Sequence, residues 1–176
     1  RLLLIVAILT LSLTLSPTMI SGSESWPLAK VEQSIVKLHI GDSGHCTAFS
    51  INEKKSVYLT AAHCYVEGVP LTMDSNPVDV LELNVPEDVM VIRSFARRKA
   101  LKIADEVKYG EAVAGYGYGL QSPGLLLQTG FIIHLTLNPF NDNPTFSRMI
   151  ISTGFIPGMS GGPIFNRKGE VVSVVQ

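Results

Sequence analysis

The chain has 176 residues, 46% of them apolar, and its 14 Lys and Arg against 15 Asp and Glu leave a formal net charge of −1. That length holds one or two small domains with a sizeable core. A charge so near zero lacks the basic excess with which a protein holds nucleic acid or an anionic membrane surface, so neither is expected as an electrostatic partner.

Residues 2–15 are strongly apolar, follow Arg1 and end near Ser16-Pro17, with small residues at Ser21-Gly22-Ser23. This is the pattern of a secretory signal core and its cleavage site, and it predicts a signal segment over 1–23 with a mature chain starting near Glu24. No charge appears between Arg1 and Glu24. The alternative is therefore an uncleaved anchor reaching Ile20, just long enough to span a membrane. A membrane is expected as a partner only in that second case. Either way the remainder is placed outside the cytosol, secreted, periplasmic or held at a membrane. The chain opens on Arg1 instead of Met and is expected to lack its beginning.

From Val31 the pattern changes to short runs rich in β-branched residues with turn residues between them. Residues 34–40, 46–51, 57–60, 78–83 and 89–92 read as strands, with 71–73 a weaker sixth. Arg97-Arg98-Lys99 with Lys102 reads as a solvated link, dividing 24–103 from 104–176. The second half restarts at 112–116 and continues with 125–137, 148–152, 163–165 and 170–175, while Asn138 to Pro144 is a loop by its turn chemistry. No long stretch repeats the helical period. The fold class is all-β, sandwich or barrel.

Two stretches carry chemistry. Pro157-Gly158-Met159-Ser160-Gly161-Gly162-Pro163 sets one serine in a glycine-rich turn. Glycine admits torsions closed to other residues and lets the main chain approach a bound reactant. Such a turn can expose the hydroxyl and aim the amides of Gly158 and Ser160 at one point, a cavity for a developing oxyanion. A β-turn with an incidental serine is the plainer reading of this stretch alone. Far upstream, however, Leu59-Thr60-Ala61-Ala62-His63-Cys64 supplies an imidazole. A serine hydroxyl is a poor nucleophile at neutral pH and needs a base, and imidazole can take its proton and return it to a leaving amine.

Thr60-Ala61-Ala62-His63-Cys64 followed by Gly158-Met159-Ser160-Gly161-Gly162-Pro163 resembles the chymotrypsin/trypsin-like serine protease family, from about residue 30 to the end. The resemblance implies two six-stranded antiparallel β-barrels with an active site in the cleft between them. It also implies the chain order His, Asp, Ser. Glu87-Asp88 heads the apolar run Val89-Met90-Val91-Ile92, as the family's aspartate leads a strand. Asp105 heads no such run, Asp74 sits in an Asp-Ser-Asn-Pro turn, and Asp79 falls inside a strand on its solvent side. By resemblance His63, Asp88 and Ser160 form the triad, and Gly158 and Ser160 donate to the oxyanion. The implied substrates are proteins or peptides, cleaved through an acyl-enzyme without a cofactor or metal; a catalytically silent homologue acting as a binding module is the competing class. Oligomeric state is not legible.

Further features extend the resemblance and mark departures from it. Cys46 and Cys64 are the only cysteines. Even number and export favour a disulfide, and the family's bridge beside its catalytic histidine matches these two positions. A zinc site from His45-Cys46 and His63-Cys64 is the alternative, but adjacent strand residues point to opposite faces, so His45 and Cys46 could hardly share one ion. His45 is then expected at the surface or cleft rim, and His39 and His134 as strand residues with satisfied hydrogen bonds. Gly115-Tyr116-Gly117-Tyr118-Gly119 looks like the family's glycine-aromatic turn. Digestive members carry an aspartate before the nucleophile, where this chain has Met159, so their zymogen ion pair cannot form. The pattern is closer to HtrA-type and bacterial or viral trypsin-like peptidases. The base of the primary specificity pocket falls on Gly154 and Phe155, neither a counter-ion for Lys or Arg. Only five strands are read in the second half and the chain stops mid-strand at Gln176, so the second barrel is expected to be truncated.

Overall fold

The computed structural model describes residues 25–42, 44–120, 122–137 and 146–176. The signal segment expected at 1–23 and the loop expected at 138–144 lie outside the described residues. The remaining chain is almost all β, in two curled antiparallel sheets.

The first sheet holds β1 (Ile35–Ile40), β2 (Gly44–Asn52), β3 (Val57–Thr60), β4 (Leu71–Met73), β5 (Asn76–Pro77), β6 (Asp79–Asn84) and β7 (Val89–Arg93), in the order β5-β4-β1-β2-β3-β7-β6. The second holds β8 (Ala112–Tyr118), β9 (Leu125–Leu137), β10 (Phe146–Ile151), β11 (Pro163–Asn166) and β12 (Val171–Val174), in the order β10-β9-β8-β11-β12. The six-and-six plan thus appears as seven strands, one only two residues long, and five. Both sheets are half-barrels: among the described residues no ladder joins β5 to β6 or β10 to β12.

β2 explains why the halves pack as they do. Cys46 to Ser50 are all buried, so this strand has no solvent face. Cys46 and Ala48 join Leu38, Tyr58 and Met90 in the core of the first sheet, whereas Phe49 joins Tyr116, Phe165 and Val171 in a core between the sheets. Burial on both sides suits a run with no exposed polar alternate. The link is less solvated than its charges suggest. Its backbone takes hydrogen bonds from Tyr58 Oη to the Ala96 carbonyl at 2.7 Å and from Ser50 Oγ to the Arg98 carbonyl at 3.0 Å, and Arg98 itself pairs with Asp74 at 2.6 Å.

One short element went unread, and one sequence expectation needs correction. A short helix, α1 (Leu28–Glu32), precedes β1 and buries Val31; five residues are too few to display a helical period. The strand expected at 112–116 runs on through Gly117-Tyr118, where a glycine-aromatic turn was expected. Gly115 and Gly117 point at crowded neighbours: a Cβ on the first would strike the Phe155 ring, and one on the second would lie 2.8 Å from Thr47 Oγ1. Close approach, not unusual torsion, is what glycine supplies there.

Candidate active site

β3 ends at Thr60, and the chain then closes one 3₁₀ turn over Ala62–Cys64, with Cys64 N–H donating to the Ala61 carbonyl at 3.3 Å and Tyr65 N–H to the Ala62 carbonyl at 3.0 Å. Ala61, Ala62 and Cys64 are small enough to bury, which leaves His63 projecting with its side chain 47% exposed. Cys64 is disulfide-bonded to Cys46 of β2, Cα to Cα 6.3 Å, across 18 positions of sequence. The bridge fixes the turn that carries His63. By the chain-entropy relation it contributes about 3 kcal/mol. Reduction under native conditions should therefore lower Tm by about 6–12 °C for a chain of this size, measurable by calorimetry with and without a thiol reductant; an unchanged Tm would refute that role. Cys46, Cys64 and His63 present ligand atoms within 4.8 Å of one another, but both sulfurs are spent in the bond and no thiolate is left for zinc.

Asp88 enters from the hairpin between β6 and β7. Asp88 N–H donates to the Val85 carbonyl at 3.1 Å and Glu87 N–H to Asn84 Oδ1 at 3.2 Å, making a tight turn in which Asp88 takes a left-handed φ of 50°. Aspartate tolerates that region better than most residues. Its carboxylate receives two bonds from one residue: His63 Nδ1 lies 2.7 Å from Oδ2, and His63 N–H donates to Oδ1 at 2.8 Å. A carboxylate can only accept, so in the neutral ring the proton belongs on Nδ1 and the lone pair on Nε2. Of the competing aspartates, Asp74 is bound to Arg98, Asp79 to Arg93 at 3.2 Å, and Asp105 to Lys102 at 2.9 Å. None of these three ion pairs involves His63.

Ser160 sits in a turn pinned from both sheets. Thr47 N–H donates to the Ser160 carbonyl at 2.8 Å, and Thr47 Oγ1 donates to the Gly158 carbonyl at 2.9 Å while accepting from Tyr118 N–H at 2.9 Å. On the far side Gly161 N–H donates to the Val175 carbonyl at 2.7 Å. Gly161, at φ 82°, packs so closely on Thr60, Thr47 and Ala61 that a Cβ there would overlap the first two. The serine turn is therefore seated on the wall formed by β2 and the end of β3, three residues before His63. Met159 is fully buried, consistent with a position that needs no ion pair. Pro157 and Gly158 occupy the centre of a turn closed by Met159 N–H on the Ile156 carbonyl at 3.1 Å.

A sequence profile of the trypsin-like peptidase domain matches residues 46–174. The chain belongs to the trypsin-like peptidase family. No curated protein sequence matches it. Solved structures agree in fold: Deg5 at TM-score 0.70 and 15% identity, covering 84% of this chain and 80% of its own. The Rv3671c protease of M. tuberculosis aligns in its active form at TM-score 0.67 and 20% identity, covering 90% of this chain and 75% of its own. Its inactive form aligns at TM-score 0.66 and 22% identity, covering 84% and 78%.

In this trypsin-like peptidase domain three contributors to the site escaped the sequence reading. Thr47 is the peg between Tyr118 and Gly158, yet a threonine in a buried strand carries no signal beyond β propensity. Gln176 Nε2 donates to the Glu87 carbonyl at 2.7 Å and ties the end of the second half to the Asp88 turn. His45 is half-buried instead of lying on the rim, with Nε2 enclosed and unpartnered. His39 and His134 are exposed on β1 and β9. Gly154 is open, with no atom within 4 Å of a built Cβ, while the Phe155 ring packs on Gly115.

Proposed function

We propose that the chain is an exported serine endopeptidase whose triad is His63, Asp88 and Ser160, with the two halves, 24–103 and 104–176, meeting at the cleft. The observation that carries this reading is the double hold of the Asp88 carboxylate on the ring and main chain of His63, in a domain whose serine turn rests on the same wall. Asp88 keeps the proton on Nδ1, so Nε2 is the basic nitrogen. His63 takes the Ser160 proton as Oγ attacks the scissile carbonyl, then delivers it to the leaving amine; a water repeats the cycle on the acyl-enzyme. The Pro157 carbonyl accepts from Leu120 N–H at 2.9 Å, and among the described residues no peptide bond is cis. In a trans peptide the N–H points opposite to the carbonyl. The Gly158 N–H thus faces away from Leu120, and with Ser160 N–H it would bind the oxyanion.

The predicted preference before the scissile bond is for apolar or small side chains, since Gly154 leaves room and Phe155 supplies an apolar surface with no carboxylate. A fluorophosphonate should label the protein on Ser160, located by mass spectrometry of the tryptic peptide, and a peptide library should show no Lys or Arg preference. Absence of labelling would leave a non-catalytic binding module as the better account.

A further inference from the structure

We propose that a basic cavity at the ends of β3 and β7 farthest from His63 and Asp88 is a docking site for an acidic segment of the substrate polypeptide, a reading that rests on the peptidase proposal. The cavity holds about 230 Å³ between Lys54 and Lys55 of the β2–β3 turn, Asp79 at the start of β6, and the stretch from Arg93 to Arg97 that leaves β7. β3 pairs with β7 so that Val57 lies opposite Arg93 and Thr60 opposite Met90. His63 and Asp88 follow and precede these strands at one end, and the cavity lies at the other. The four residues of β3 put about 13 Å of strand between them. An occupant of the cavity therefore leaves the triad free.

The charge around the cavity is one-sided. Asp79 is taken by Arg93 at 3.2 Å, and Glu53, next to Lys54 in sequence, is taken by Lys99 at 3.3 Å. Among the described residues no carboxylate pairs with Lys54, Lys55 or Arg97, and all three are exposed. Three like charges around one small cavity are left for an anion to neutralise. Ser94, which also lines the cavity, is only 6% exposed, and its hydroxyl has no hydrogen-bond partner. A buried hydroxyl is seldom left so, and a carboxylate oxygen brought into the cavity is an acceptor for it. Phe95 stands beside the cations with 83% of its surface exposed, more than any other large apolar residue among those described. A small inorganic anion would use the cations and leave this ring in water. An acidic segment carrying an apolar side chain uses both. A nucleic acid would also use both, but a chain of net charge −1 lacks the basic excess that holds one, and this family's substrates are polypeptides.

Binding is measured apart from cleavage, on Ser160→Ala, by fluorescence anisotropy of a dansyl-labelled peptide containing the run Glu-Asp-Phe-Glu-Glu. It should bind at low salt and weaken as ionic strength rises. The triple variant Lys54→Gln/Lys55→Gln/Arg97→Gln should bind it about thirtyfold less tightly, three exposed pairs at about threefold each, and Phe95→Ala about fivefold less. A control peptide with Gln-Asn-Phe-Gln-Gln should not bind. Equal binding of the two peptides, or no loss in the triple variant, overturns the proposal, as does tighter binding of oligo-dT than of the acidic peptide. The cleavage arm uses the active protein and a quenched peptide substrate, with or without the acidic run attached through twelve Gly-Ser residues spanning about 20 Å. The run should lower KM about tenfold at unchanged kcat, an effect absent from the triple variant, while both proteins cleave the bare peptide equally. An unchanged KM overturns the assignment to substrate. If the acidic peptide binds as expected but Ser160 resists fluorophosphonate, the peptidase reading fails and the cavity keeps its acidic occupant.

Discussion

Asp88→Asn should lower kcat/KM on a peptide amide by about 10⁴-fold while leaving the fold intact. Asparagine tolerates the left-handed φ of 50° that Asp88 adopts, so the turn between β6 and β7 has no reason to move. Its amide oxygen can still accept one of the two His63 bonds, but its NH₂ is a donor where the carboxylate offered a second acceptor. If the oxygen keeps the His63 main-chain N–H, the NH₂ faces Nδ1 and drives the ring proton to Nε2. The imidazole then presents a donor to Ser160 and has no lone pair with which to take its proton. Circular dichroism and Tm report the fold, and steady-state turnover reports the loss. A decrease of less than tenfold, with the protein folded, would mean that Asp88 does not set the tautomer of His63.

The contrast between what the sequence disclosed and what it concealed has a physical basis. Strands were legible because β-branched runs between turn residues need only local information: all eleven strand positions expected from Ser34 onward reappear, with ends shifted by a few residues. Asp88 was legible for the same reason, as the residue heading the run Val89–Arg93. The hold of Thr47 on Ser160 and Gly158 was not, because those bonds join positions more than 100 residues apart and use a hydroxyl and main-chain atoms that any sequence offers. Gly117 was misread as turn because glycine signals both unusual torsion and close approach, and only its neighbour Thr47 tells which. His45 is the sharpest case. Alternation placed it opposite Cys46 and out of the first core, and outward here means against Gly158 instead of into water.

Gly161→Ala is expected to be the most destabilising single change near the site, by about 4 kcal/mol, the sum of about 1–2 for a left-handed residue with a Cβ and about 1–3 for overpacking. The φ of 82° already disfavours alanine, and the added methyl would overlap the Thr47 carbonyl and Thr60 Oγ1 and lie 2.9 Å from Ala61 N. Thr60 Oγ1 donates to that same Thr47 carbonyl at 2.8 Å, so neither atom can withdraw without losing the bond. The turn must move instead, and Ser160 with it. Gly68 provides the control, because its φ of 78° is equally left-handed while no atom lies within 4 Å of a built Cβ. Gly68→Ala should therefore lose only the torsional part, about 1–2 kcal/mol. Urea unfolding of the two variants gives the difference directly, and that difference measures how tightly the serine turn is pressed onto the wall bearing His63. Equal losses would show that Gly161 is needed only for its torsion, and that this wall does not fix the position of Ser160.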